Sequence, residues 1–355
     1  MSNESKQPAA QAKTLSAKQV GNLLLDNALY ILMVIAVIVI QIVNPNFLRP
    51  ASLVNILSQT AAYLPAALGI AGCIVLTGTD LSAGRAVGLT ACISASLLQV
   101  VGSSSKMWPE MGTLPVALVI LIAVLLGAAI GAFNGFFVAK FKLHPFIVTL
   151  GTQLILYSCL LLYVQMGNNG GMAISSLDAS YTDFIKGSIV SVPTGNGTST
   201  PIPNYVWFAI ALAALMWFIW NKTTFGKNMF ALGSNEEAAR VSGVNVFATT
   251  ILVFALAGAM YGWTGFVEGA RIGSNTANTG FNYELDAIAA CVIGGVSFVG
   301  GIGKIRGIII GVLLLRLIFV GLNMASVPQD LIYLVKGGII LFACALDMRK
   351  YLVKK

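Results

Sequence analysis

Long apolar runs alternate with short polar breaks along almost the whole chain, and the runs have membrane-spanning length. A helix needs about 20 mainly apolar residues to cross a bilayer. By that measure the sequence predicts spans at 22–43, 56–77, 84–101, 113–139, 145–165, 204–221, 247–267, 286–303, 307–325 and 329–347. Two polar segments are longer than a turn: 166–203, rich in Gly, Ser, Asn and Thr, and 222–246, which carries helix signals of its own. The expected class is an all-α polytopic membrane protein of about ten transmembrane helices. Residues 1–21 form a polar tail, 22–350 the membrane domain and 351–355 a second short tail.

Composition agrees and removes the main alternatives. The 355 residues are 57% hydrophobic and 10% charged, against roughly 45–50% and about 25% in soluble domains. Such a chain cannot cover a water-exposed surface, which excludes a soluble enzyme, a disordered chain and a free nucleic-acid binder. The net charge is +8, but the cations sit in the breaks: Lys140 with Lys142, Lys222 with Lys227, Lys304 with Arg306, and Arg349, Lys350, Lys354 and Lys355 near the end. Lys and Arg are retained on the cytoplasmic side, so the charge reports topology and implies no nucleic-acid partner. An even number of spans then puts both tails and 222–246 in the cytoplasm and 166–203 outside. The first apolar run has no small-residue cleavage site and reads as a retained span. Cys73, Cys92, Cys159, Cys291 and Cys344 all lie in apolar runs, without metal or CxxC spacing, and suit packing better than a disulfide framework.

Two glycine-rich breaks, Thr77–Gly84 and Gly294–Gly301, are either span ends or unwound backbone at membrane depth. Irregular backbone is tolerated there only where protein or a wet cavity satisfies it, so both belong in the interior. Ile70–Val75 resembles Ile288–Ile293 at an offset of 218 residues, and each precedes one of these breaks. This is either an internal repeat or a chance match.

Within 222–246, Ser234 and Glu237 have the spacing of a capping box. Glu236 and Glu237 fall early, Arg240 late, and Gly243 stands where a helix stops. A short helix of about two turns is expected on the inner face, either tying the loop to lipid headgroups or serving as a docking knob. Its weak apolarity favours the knob.

Polar residues among the spans are the other candidates. Asp80, with Ser82 and Arg85 close in sequence, offers either a carboxylate for sugar hydroxyls or a structural Asp80–Arg85 pair; acids at membrane depth face a cavity or a partner. Gln59, Asn134, Thr149 and Thr152 join them as candidate pathway residues. Glu268 and Arg271 have i,i+3 spacing for a local ion pair, and Glu284 and Asp286 suit a helix start. Arg316 and Lys336 either pair with each other or bond carbonyls. His144, alone before Pro145, reads as structural, and Trp108, Trp207, Trp217, Trp220 and Trp263 as interfacial anchors. No phosphate-binding G-x-x-x-x-G-K-[ST] is present, because Gly303-Lys304 is followed by Ile305, so energy must come from a partner ATPase or an ion gradient.

The stretches Gly78-Thr79-Asp80-Leu81-Ser82-Ala83-Gly84-Arg85, Pro145-Phe146-Ile147-Val148-Thr149-Leu150-Gly151-Thr152, Phe225–Gly243 and Tyr283-Glu284-Leu285-Asp286-Ala287-Ile288-Ala289-Ala290 resemble the permeases of bacterial ATP-binding-cassette importers for sugars. The resemblance covers nearly everything after residue 22, and is nearer to the galactoside-carrying branch than to the ribose-carrying one. It implies a multi-pass subunit of the cytoplasmic membrane, paired with a second permease copy as a homodimer. Cytoplasmic ATP-binding subunits carrying ATP and Mg would dock on it, and an extracytoplasmic sugar-binding protein would feed it; the chain itself would hold no cofactor and no metal. It also implies ATPase coupling through Gly226, Lys227, Gly233, Ser234, Asn235, Glu236, Glu237, Ala238, Arg240 and Gly243. The sugar stays open between galactose-like hexoses, pentoses and nucleosides. An ion-coupled transporter would want carboxylates at mid-span, for which only Asp80 offers itself. A membrane-embedded enzyme would want a nucleophile–base or metal constellation.

Overall fold

A computed structural model describes residues 28–195 and 198–352; the polar tail and the start of the first expected span lie outside them. The helices in chain order are α1 (Ala28–Val43), α2 (Pro50–Val75), α3 (Ala83–Leu97), α4 (Val116–Phe141), α5 (Pro145–Gln165), α6 (Ala179–Lys186), α7 (Asn204–Lys222), α8 (Thr224–Ser234), α9 (Glu236–Val241), α10 (Val246–Ile272), α11 (Tyr283–Ile293), α12 (Ile305–Met324) and α13 (Gln329–Leu352). Each expected span overlaps one of them, though 84–101 and 286–303 outrun their helices. Six of these helices, α2, α4, α5, α7, α10 and α12, are long and apolar enough to cross a membrane.

Local chemistry sets several boundaries. Pro50 and Pro145 open α2 and α5, where a missing N–H and a fixed φ do no harm. His144 caps α5, its Nδ1 accepting from the Phe146 N–H at 3.3 Å, so the lone histidine is structural. Asn245 caps α10 through the Ala248 N–H.

The expected span 286–303 is the clearest departure. Its helix, α11, stops at Ile293, because Gly295 turns left-handed (φ 82°) and the chain then runs irregularly to Lys304. The long polar segment also departs from the all-α expectation. It folds into α6 and an antiparallel hairpin, β1 (Ser188–Gly195) with β2 (Thr198–Pro203), in the register Val192 opposite Thr200. Asp178 caps α6, accepting from the Ser180 N–H and hydroxyl at 2.9 and 2.6 Å. Those two donors hold its carboxyl below the ordinary aspartate range. The Tyr181 hydroxyl donates to the Phe266 carbonyl and ties α6 to α10.

α10 lies at the centre, packed against α2, α3 and α4. α4 runs antiparallel to it, with Gly127, Gly131 and Gly135 laid on the backbone of Ile251, Phe254, Gly258 and Gly262. In lipid no hydrophobic force draws helices together, so small residues that let backbones touch supply the attraction through van der Waals contact. α11 and α12 repeat the device, with Gly294 against Gly307 and Gly311 against Ala290. At one end of the bundle the chain segments 76–79, 223–235 and 300–303 meet. At the other end 98–107 joins 168–178 and Asn275.

Candidate functional site

The segment from Thr223 to Val244 is a helix–break–helix knob. Thr223 caps α8 through the Gly226 N–H at 3.2 Å. α8 ends at Ser234, Asn235 takes an extended conformation (φ −162°, ψ 108°), and α9 follows. The cap of α9 is therefore Asn235, whose Oδ1 accepts from the Ala238 N–H at 2.9 Å. This corrects the expected capping box, since Ser234 is still helical and donates to the Phe230 carbonyl at 2.8 Å. A cap residue needs extended backbone, and Asn and Ser cap about equally well, so the backbone bend decides between them. Gly243 closes α9 as expected, left-handed at φ 84°, with Val244 N–H donating back to Ala239 at 3.0 Å. Glu236 and Glu237 both reach Arg240, at 2.5 and 3.5 Å. Lys227, Ser234, Asn235, Glu236, Glu237, Ala238, Arg240 and Gly243 are exposed. Val241 is 89% exposed, an apolar tip that spacing alone did not single out.

The base of the knob is seated on both glycine-rich breaks. A Cβ at Gly233 would overlap the Val75 carbonyl at the end of α2, and one at Gly300 would overlap Thr77 and the Gly233 carbonyl. The Gly301 N–H donates to that same Val75 carbonyl at 2.9 Å. Gly226 fits beneath the carbonyls of Ile219 and Trp220. Trp220 is no interfacial anchor: it is 2% exposed, edge-on to Phe230 and beside Gly303. α8 thus touches the end of α2 and the 300–303 segment at once.

Five of the seven pathway candidates meet in one buried network. Asp80 Oδ1 accepts from the Ser82 N–H at 2.9 Å and the Ser82 hydroxyl at 2.6 Å. The Asn134 amide of α4 donates to Ser82 Oγ at 2.9 Å, and Thr152 of α5 donates to Asn134 Oδ1 at 2.6 Å. Thr149 accepts from the Leu81 N–H and donates to the Thr79 carbonyl, both at 3.1 Å. The unwound backbone at 79–82 is therefore met by Thr149 of α5 and by Asp80 itself, as interior irregular backbone must be, while Asn134 of α4 holds the Ser82 side chain. The Asp80–Arg85 pair does not form. Arg85 points elsewhere, donating to Ala277 O at 3.2 Å and stacking on Tyr157 at 4.2 Å. Gln59 stands apart on α2.

A second buried centre was invisible in the sequence. Arg316 and Lys336 neither pair with each other nor bond carbonyls; they converge on Asp286, at 2.5 and 2.9 Å. Their separations of 30 and 50 positions carry no local signal. Arg316 also lies 3.5 Å over the Tyr63 ring, which stacks on Tyr283. Glu268 and Arg271 form the expected pair, doubly bonded at 2.6 and 2.7 Å. Among the described residues, no group of His, Cys, Asp and Glu could hold a metal ion.

A glycine-packed bundle of membrane-length helices, with an exposed knob wired into two unwound segments, defines a multi-pass membrane permease. The chain belongs to the family described as branched-chain amino acid transport system / permease component, whose model matches residues 52–344. It is 44% identical over 341 residues to the galactose/methyl galactoside import permease protein MglC of Salmonella typhimurium, covering 96% of this chain and 99% of that one. The MglC of Escherichia coli matches to the same extent. The ribose import permease protein RbsC of Escherichia coli is 33% identical over 327 residues, covering 92% of this chain and 95% of its own. No solved structure matches the chain at comparable significance. Members of this family are transport subunits, not enzymes.

Proposed function

We propose that the chain is the permease subunit of an ATP-binding-cassette importer that carries galactose or a simple galactoside inward across the bacterial cytoplasmic membrane. The similarity to galactose/methyl galactoside permeases at 44% identity, over nearly the full length of both chains, carries this reading. Ten spans with both tails cytoplasmic put the knob inside and the α6–hairpin segment outside, where a sugar-binding protein would deliver its cargo. Two copies of the chain face each other, and each knob docks an ATP-binding subunit. ATP and Mg sit on that subunit, and the permease binds neither. Gly226 and Gly233 seat the knob, while Lys227, Ser234, Asn235, Glu236, Glu237, Ala238 and Arg240 face the ATPase and Gly243 ends the contact helix. ATPase closure would drive the knob against Val75 and Gly301. The Asp80, Ser82, Asn134, Thr149 and Thr152 network would pass that movement to the spans, while Arg85 and Gln59 would line the path away from that network. The 218-residue offset between the two capped helix ends supports an internal repeat, a common basis for alternating access. A pentose cargo is the second reading, favoured only by the 33% identity to a ribose permease.

Charge reversal of the knob tests the docking. Glu236→Lys with Glu237→Lys should abolish co-purification of the ATP-binding subunit and ATP-dependent galactose uptake, while membrane insertion persists. Retained co-purification and uptake would refute the assignment. Uptake that survives ATP depletion but collapses with an uncoupler would favour an ion-coupled carrier.

A further inference from the structure

The flank of the bundle that carries Gln59 also carries polar groups that the fold leaves unused. Asn55, Gln59, Val320, Asn323 and Met324 line an open groove of about 340 Å³ between α2 and α12. Both helices are long and apolar enough to cross a membrane. Asn55 and Gln59 stand one turn apart on one face of α2. Neither side chain makes a hydrogen bond within the described residues, and Asn55 and Asn323 are exposed. The Asn323 amide donates back to Phe319 O at 2.8 Å. Asn55 precedes the apolar run 56–77 and Asn323 stands near the end of 307–325, so the three amides gather at one end of the two helices with hydrogen-bonding capacity to spare.

A charged group lies one turn beyond the groove's lining. One turn along α2 from Gln59 is Tyr63, and one turn along α12 from Val320 is Arg316, whose guanidinium lies 3.5 Å over the Tyr63 ring. Arg316 is 6% exposed, and its Nε is buried without a hydrogen-bond partner. Asp286 is already occupied by Arg316 and Lys336, so no free carboxylate waits there for a cation. The amides offer paired donors and acceptors. That combination suits the hydroxyls of a neutral polyol, which both give and accept hydrogen bonds.

We propose that Asn55, Gln59 and Asn323 form a contact subsite for a neutral monosaccharide on its way through the permease. This rests on the import reading above. The test uses the permease assembled with its ATP-binding subunit and sugar-binding protein in proteoliposomes, with labelled D-galactose as the probe. Asn55→Leu with Gln59→Leu should cut uptake roughly tenfold or more, as expected when two neutral hydrogen bonds are lost, while ATP hydrolysis continues. Gln59→Asn should keep most of the uptake. Unchanged uptake in the double variant would overturn the proposal, and so would parallel loss of uptake and hydrolysis, which would assign the residues to assembly. A wild-type complex that takes up no galactose would defeat the import reading instead. The groove is then read independently by Gln59→Cys and Asn323→Cys in a Cys159→Ser background, treated with a charged, membrane-impermeant thiol reagent. Labelling supports a wet groove; no labelling means lipid or protein covers it and overturns the proposal.

Discussion

The ends of α2 and α11 are built alike and used differently. At the first, Leu76, Thr77 and Gly78 donate to Gly72, Ile74 and Cys73 at 3.3, 2.9 and 2.9 Å. At the second, Gly294, Gly295 and Val296 donate to Ala290, Val292 and Cys291, each at 2.9 Å. Every donor and acceptor is displaced by the same 218 positions, and both ends turn left-handed, at Thr77 (φ 61°) and Gly295 (φ 82°). This is the Schellman cap, made twice. Beyond it the two diverge. The first break is pinned by side chains from α4 and α5 at Ser82, Leu81 and Thr79. The second is held by the backbone bonds of Gly301 to Val75 and Ser297 to Ile302, by the Val299 N–H on Ser297 Oγ and by Phe298 against the core, and leaves Val299 and Ile302 about half exposed. One helix end is thus locked into the bundle. The other is tied to the end of α2 through Gly301, beside the base of the knob, so under the docking reading proposed above it is the end that a partner would move first.

The largest expected effect comes from the point where the two ends and the knob meet. Gly233→Val would drive a side chain into the Val75 carbonyl and the Gly301 N–H. Backbone cannot yield as a side-chain tip can, and overpacking of this kind costs about 1–3 kcal/mol or more. ATP-dependent uptake in proteoliposomes should fall by more than tenfold while the chain still inserts. Normal uptake would show that the knob does not need its seat on α2, and the contrast between the two ends would lose its functional meaning.

A smaller effect is expected from cutting the side-chain lock of the first break. Asn134→Leu leaves the Ser82 and Thr152 hydroxyls without their shared partner, at a cost of about 1–3 kcal/mol for buried unpaired groups. The thermal midpoint of the detergent-solubilised protein should drop accordingly. Asp80→Asn keeps the acceptor for Ser82 and should lower the midpoint far less. Equal drops would mean that the carboxylate itself, and not the hydrogen-bond chain, holds the break.

These residues also mark what could be read from the sequence. The apolar runs became helices because bilayer thickness fixes their length. Glu268 with Arg271, His144 before Pro145 and the stop at Gly243 were legible because their partners lie within a turn. Asn134 joins Ser82 across 52 positions and Thr152 across 18, and Asp286 gathers cations from two other helices. Such meetings follow from helix packing, which no local spacing encodes. The shift of the cap from Ser234 to Asn235 lies between these cases: both residue types were suitable, and a backbone bend set by the seat of α8 on Val75 chose one. The hairpin in 188–203 went unread because a polar segment rich in Gly, Ser and Thr reads as loop when judged by hydropathy alone.

The smallest effect tests whether the two caps are truly the same structure. A left-handed residue other than glycine costs about 1 kcal/mol. At Gly295 an added Cβ would meet no atom within 4 Å, so Gly295→Ala should lose about that much and nothing more. At Thr77 the reverse change, Thr77→Gly, relieves the backbone but gives up the hydroxyl bond to the Leu76 carbonyl at 2.6 Å. It also removes the methyl group that lies beside Gly300. Its gain should therefore be smaller than the Gly295→Ala loss. Unfolding midpoints of the two variants, measured side by side in the same detergent, read both quantities. No loss at Gly295 would mean that the second end does not hold its left-handed turn in solution. A full reciprocal gain at Thr77 would mean that its side chain contributes nothing to the lock, leaving the first break held by Asp80, Asn134 and Thr149 alone.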